Sequence, residues 1–271
     1  MAMNPSSASS GPLSVGNVVS AGVRIYRSHL KQYLTLSLIG HLWILVPIYG
    51  WAKYAATTGL ISRLAFGELS NQPESLKDAR KFVNARMWRF LVAAILVILL
   101  ILGLYMGMGL TFIILAGITR VLAAGNPALG AVGGLLMFVA FIVILVLFFC
   151  RVLLVEVPLA IEQNVSSTGA ISRSWDLTKG FTRRILGTVM VAFLLTLIIY
   201  LPSQIITFLL QAAVGRPEEA SAASSLVGLV SLALSLLTGA LVMPFWQVIK
   251  AVIYYDLRVR REGLGLRLRD R

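Results

Sequence analysis

Residues 90–117, FLVAAILVILLILGLYMGMGLTFIILAG, carry no charged side chain. As a helix this run is roughly 40 Å long, more than the ~30 Å hydrocarbon core of a bilayer requires. The whole chain agrees with it. Of its 271 residues, 58% are hydrophobic and 13% charged, whereas soluble domains have about 45–50% and about 25%. The mean hydropathy is +0.86. A disordered protein, a coiled coil and an ordinary soluble enzyme are excluded. The length leaves room for five or six spans of about 20 residues each.

The fold class expected is all-α, a polytopic transmembrane helical bundle. About six membrane helices, five long and one short or re-entrant, follow an N-terminal amphipathic helix. Residues 1–13 read as a disordered tail without the basic start and apolar core of a signal peptide. Residues 14–32 put Val15, Val18, Val19, Gly22, Tyr26 and Leu30 on one helical face. That face suits the membrane surface, with Arg24, Arg27 and Lys31 on lipid headgroups; packing on the protein's own bundle is the alternative. The first span starts near Tyr33 and breaks at Pro47 and Gly50. The stretch after it contains Lys53 and Arg63 and reads as a short second span or a re-entrant or interfacial helix. Further spans are expected at 90–117, at 129–155 up to Pro158, at 185–211 interrupted by Pro202, and from Leu226 with a mild break at Pro244. Gly125-Asn126-Pro127 marks a turn. In all, residues 14–256 form one helical membrane domain, with cytoplasmic segments at 68–89 and 157–184, and 257–271 form a basic cytoplasmic tail.

The net charge of +13 could suggest nucleic acid, but the placement of the charges argues otherwise. Most of the 24 Lys and Arg residues fall in 1–31, 68–89, 151–184 and 250–271. Basic clusters between apolar runs are what the positive-inside rule produces. The expected partners are membrane lipids, anionic on the cytoplasmic side, and a membrane-protein partner or a second copy, with no nucleic acid. Both termini are placed in the cytoplasm of a bacterial inner membrane. Five crossings with an external N-terminus, or a thylakoid membrane, remain open alternatives.

Two mixed-charge segments form a candidate cytoplasmic interaction platform. In 157–187, Ser167 or Thr168 can cap a helix that Gly180 ends, with Trp175 at the interface. Arg173 and Asp176 can pair across one turn, Ser174 lies between them, and Arg183 and Arg184 face headgroups. In the tail, Asp256 with Arg260 and Arg258 with Glu262 are spaced i,i+4, beside Tyr254 and Tyr255 at the level of an aromatic belt. Asp256 can also reach Arg173, Arg183 or Arg184. A hydrated cavity near Pro202–Gln204 and Arg63 would mark a transporter instead.

No phosphate-binding loop, nucleophile elbow, HExxH or CxxC pattern occurs. Cys150 sits in an apolar run, and His29 and His41 are the two histidines. No catalytic residue, metal site or cofactor is expected; Glu156 and Glu162 are acid candidates only by default.

Pro158–Ile161, the segment ISRSWDLTKG with Ser174 and Gly180, the tail YYDLRVRREG and the stretch GLISRLAFGELSNQPESLKDA carry a resemblance. From about residue 14 onward the chain resembles the membrane domain associated with glycerophosphoryl diester phosphodiesterases, found in a group of bacterial six-helix membrane proteins. The resemblance implies a helical membrane fold and a membrane-lipid context. It does not imply phosphodiesterase activity, which in the fused proteins belongs to a separate soluble barrel. The expected role is a non-enzymatic scaffold, assembly or envelope and lipid-homeostasis factor. A transporter or lipid-handling protein is the alternative.

Overall fold

The computed structural model describes residues 14–214 and 222–263. The tail at 1–13, the turn containing Arg216, Glu218 and Glu219, and the last residues of the basic tail lie outside them. The described residues form helices α1 (Val15–Ser28), α2 (Leu30–Trp43), α3 (Tyr49–Leu69), α4 (Leu76–Asn84), α5 (Met87–Gly125), α6 (Pro127–Val152), α7 (Glu156–Ile161), α8 (Ser167–Thr178), α9 (Thr182–Val214) and α10 (Ala222–Glu262).

Local chemistry sets most boundaries. The side chains of Ser14, Ser75, Asn126 and Ser166 accept backbone N–H groups at the starts of α1, α4, α6 and α8. Pro127 opens α6 where its missing N–H costs nothing. The cap of α8 is thus Ser166, one residue before the expected Ser167. Gly180 and Gly263, at φ +84° and +63°, follow α8 and α10 in the left-handed conformation that ends helices.

Four stretches are long and apolar enough to cross a membrane: Met87–Gly125, Pro127–Ile161, Thr182–Ala213 and Ser224–Glu262. Six were expected. The difference lies at 33–69. Here α2 has 14 residues, roughly 21 Å, too short for the hydrocarbon core. α3 has 21 residues but carries Lys53, Arg63 and Glu68. Much of it, including Ala52, Ala56, Leu60, Ile61, Leu64 and Ala65, is buried against other helices. The pair forms a hairpin that turns at residues 44–48. Pro202 and Pro244 cause no interruption; both stay inside continuous helices. The break comes instead at Leu153–Val155, between α6 and α7.

The four stretches pair as two hairpins. Gly130 and Gly133 let α6 close on Ala123 and Thr119 of α5, whereas Gly103, Gly107, Gly109 and Gly134 meet no neighbour. Away from the compact end their surfaces are exposed and apolar, as at Leu99, Ile113, Leu135, Ile198 and Leu229.

At the compact end, the second half of α10 is the central element. Val248, Ile249, Ala251, Val252, Tyr254 and Leu257 are fully buried. α1, α2, α3, α7, α8 and α9 pack around this segment. The boundary expected at residue 256 therefore falls inside the core, and α10 runs on to Glu262.

α1 ends in a kink at His29, so 14–32 is not one helix. Its apolar face is not a membrane-surface face. Val18, Val19, Gly22 and Ile25 are buried, Gly22 meets Ile249 of α10, and Val15 reaches Gly187 of α9. Tyr26 donates its hydroxyl proton to the Leu241 carbonyl at 2.8 Å. The reason is competition: α10 offers an apolar seam on which the same stripe buries more completely than in headgroups. Arg24, Arg27 and Lys31 are exposed. Val18 is 1% exposed, so Val18→Asp should destabilise the full chain by about 3 kcal/mol or more through a buried unpaired carboxylate. Thermal unfolding in detergent measures it. An unchanged midpoint would return α1 to the membrane surface.

Candidate functional site

The basic segments meet at the compact end and are joined through their carboxylates. Glu162, the C-cap of α7, is the hub. Its Oε1 accepts from Arg173 Nε of α8 at 2.9 Å and from the Tyr254 hydroxyl of α10. Its backbone carbonyl accepts from Arg86 Nη1 at 2.7 Å. Arg173 reaches onward to Glu262, which also takes Arg258 Nε at 2.7 Å. Burial by itself lowers the Arg173 pKa, but its bonds to Glu162 and Glu262 outweigh this and hold it above the ordinary arginine range.

A second knot joins α9 and α10. Asp256 is 2% exposed, and its Oδ2 accepts from Arg184 Nε at 2.8 Å and Arg260 Nε at 3.0 Å. Between α7 and α10, Glu156 binds Lys250 Nζ at 2.6 Å and faces the Thr58 hydroxyl at 3.4 Å. On the α3–α4 side, Arg63 makes a two-pronged contact with Glu74, at 2.6 and 3.1 Å, and donates to the Ala160 carbonyl at 2.7 Å. Arg63 and Arg86 both stack on Phe82, at 3.8 and 3.9 Å from its ring centre.

The expected platform residues divide into two groups. Arg173, Arg184, Asp256, Arg258, Arg260 and Glu262 are brought together. Ser174 is buried and donates to the Arg151 carbonyl at 2.6 Å, which ties α8 to the end of α6. Tyr255 is half-buried, edge-on to Phe66. The others point outward: Trp175 is 44% exposed with Arg151 over its ring, and Asp176 and Arg183 are exposed.

The expected Arg173–Asp176 pair does not form. Arg173 is drawn to the half-buried Glu162 and Glu262, where its charge is worth more than beside a solvated Asp176. Tyr254 is no belt residue; it is fully buried on Glu162. Arg63 is committed to Glu74, and Pro202 and Gln204 lie exposed on α9, so they do not form the cavity that would mark a transporter.

Sequence reasoning missed Glu156, Glu162, Lys250 and Tyr254 as partners. One signal was available. Lys250 and Tyr254 are spaced i,i+4 on one face of α10, and Glu156 and Glu162 flank the short helix that docks there. Chemically, these ion pairs staple helices together and neutralise their own carboxylates. Among the described residues no group of three His, Cys, Asp or Glu could hold a metal ion.

The profile of a family described as a domain of unknown function, DUF7847, matches residues 41–257. The chain belongs to that family. No curated protein and no solved structure matches it. The matched DUF7847 region runs from His41 to Leu257. It contains all four candidate spans apart from the last turn of α10. It also holds Glu156, Glu162, Arg173, Arg184 and Asp256, but not α1.

Proposed function

We propose that the protein is a non-catalytic scaffold or assembly factor of a bacterial cytoplasmic membrane, with both termini and the ion-paired platform on the cytoplasmic side. The observation that carries this reading is that the platform's carboxylates are consumed in pairing. Glu156, Glu162, Asp256 and Glu262 each hold at least one cation, so they brace a surface. The exposed edge of that surface carries Trp175, Asp176 and Arg183, a mixture of aromatic, acid and base suited to a protein partner. The crossings are four, and the α2–α3 hairpin enters the membrane without crossing it. The antiparallel run of α2 along α10 supports this. The Ser37 hydroxyl lies 4.0 Å from the Met243 sulfur, and His41 packs on Gly239. Continued, the turn at 44–48 lies beside the exposed apolar stretch of α10, and Leu42, Leu45 and Ile48 are 63%, 74% and 60% exposed. The resemblance to the phosphodiesterase-associated membrane domain adds a lipid-homeostasis context.

A photo-crosslinking residue at position 175 or 183, in intact membranes, should give one discrete protein adduct. Position 135, on the apolar face, should give lipid adducts only. Asp256→Ala should remove the adduct from 175. Lipid adducts alone at all three positions would contradict the scaffold reading.

A second reading, lipid handling, draws on a cavity of about 380 Å³ beside α5, α6 and α7. Its wall is apolar, with Phe90, Val97 and Phe149, and Glu156 and Lys250 lie at its head.

A further inference from the structure

Several cations near α2 have no carboxylate to answer them. Among the described residues Lys31, Lys53 and Arg80 form no ion pair. They are not scattered. Lys31 and Arg80 line an outer chamber of about 450 Å³ between the start of α2 and α4, with Gln32 and Thr35. Arg80 and Lys53 line an inner chamber of about 210 Å³ between α2, α3 and α4, with Asn84. Arg80 and Leu36 belong to both, so the two chambers are halves of one cleft. The acid near its mouth, Glu68, faces His29 at 3.6 Å and leaves the three cations uncompensated.

Cations and apolar side chains line both parts of the cleft. Its outer part presents ammonium, guanidinium and amide groups. Its inner part sets Lys53, Arg80 and Asn84 against Leu36, Ile39, Trp43, Leu60 and Val83. Leu42 and Leu45, next to Trp43 in the chain, are exposed. Unpaired cations set against the apolar side chains of Leu36, Ile39 and Trp43 in one membrane-adjacent cleft fit a molecule with an anionic head and a hydrocarbon tail. A soluble anion would answer the cations and leave the apolar side chains of Leu36, Ile39 and Trp43 uncovered.

We propose that this cleft holds one anionic phospholipid drawn from the bilayer. Its phosphate lies between Lys31 and Arg80, which donate to the phosphate oxygens, and one acyl chain lies along Leu36, Ile39 and Trp43. Lys53 screens the same charge from the inner side. The lipid would fill the gap between α4 and the α2–α3 hairpin and tie that hairpin to the bundle. This rests on the membrane placement proposed above and not on the partner-binding edge at Trp175.

The test uses the delipidated full-length protein in detergent, titrated with dioleoylphosphatidylglycerol or dioleoylphosphatidylcholine and read by native mass spectrometry. One phosphatidylglycerol per chain should bind, with about tenfold or greater preference over phosphatidylcholine. Lys31→Gln with Arg80→Gln should abolish that preference, while Lys179→Gln with Arg183→Gln on the platform should keep it. An unchanged unfolding midpoint shows that the first double variant is folded; if it is not, Lys53→Gln alone should still reduce the preference. Equal binding of the two lipids, or a preference that survives loss of Lys31 and Arg80, would overturn the proposal. So would displacement of phosphatidylglycerol by equimolar inorganic phosphate, which would leave a small-anion site. Failure of the crosslinks at 175 and 183 with a normal lipid preference would remove the scaffold reading and leave this one standing.

Discussion

Asp256→Ala should lower the stability of the protein by about 3–5 kcal/mol, the range for breaking a buried ion pair by removing one partner. Asp256 is 2% exposed and binds two guanidiniums, Arg184 from α9 and Arg260 from the next turn of α10. Without the carboxylate, the Arg184 and Arg260 guanidiniums lose the buried acceptor they share. Both arginines are about four-fifths buried, so neither reaches water without giving up its packing. Asp176→Ala is the matched control. Asp176 is exposed, and the effect there should stay within about 0.5 kcal/mol. Thermal or denaturant unfolding in detergent compares the two. Equal, negligible effects would reduce the end of α10 to a solvated anchor and end the case for a platform.

Glu162→Ala should cost about 2–4 kcal/mol, because it leaves a buried tyrosine hydroxyl without its acceptor and takes one of its two carboxylates from the half-buried Arg173. Tyr254 is fully buried, and Arg173 is 29% exposed. Glu162→Gln keeps a carbonyl acceptor for Tyr254 and should recover part of the loss. In a double-mutant cycle with Tyr254→Phe the two changes should couple by about 1–2 kcal/mol, as residues in one network do. Strict additivity would show that the hydroxyl and the carboxylate do not share an interaction.

These two carboxylates also show what the sequence could reveal. Asp256 was legible because its partner Arg260 is four residues away, and helical spacing alone pairs them. Glu162 was not, since Arg86, Arg173 and Tyr254 come to it from 76, 11 and 92 residues away. The uncharged runs announce α5, α6, α9 and the first half of α10 without ambiguity. They say nothing about the second half of α10. There, apolar residues on every side of the helix mean burial in protein, but composition alone reads the same pattern as burial in lipid. Residues 33–69 fail for a related reason. Their charges are too many for a span and their apolar surface too large for a loop, and only the packing of α3 shows where both go. The stripe of α1 was visible as a stripe, but its partner was α10 rather than headgroups, a choice that periodicity cannot make.

The proposed topology has four crossings, with α4, α8 and the end of α10 on one side and the α5–α6 turn on the other. Single cysteines introduced on a Cys150→Ala background at Lys77, Asp176, Asn126 and Leu45, probed with a membrane-impermeant thiol reagent in intact cells and in inverted vesicles, test it directly. Positions 77 and 176 should react only in inverted vesicles, position 126 only in intact cells, and position 45 in neither. Labelling of 77 and 176 from opposite sides would contradict the account, because Arg86, Glu162 and Arg173 could then not meet.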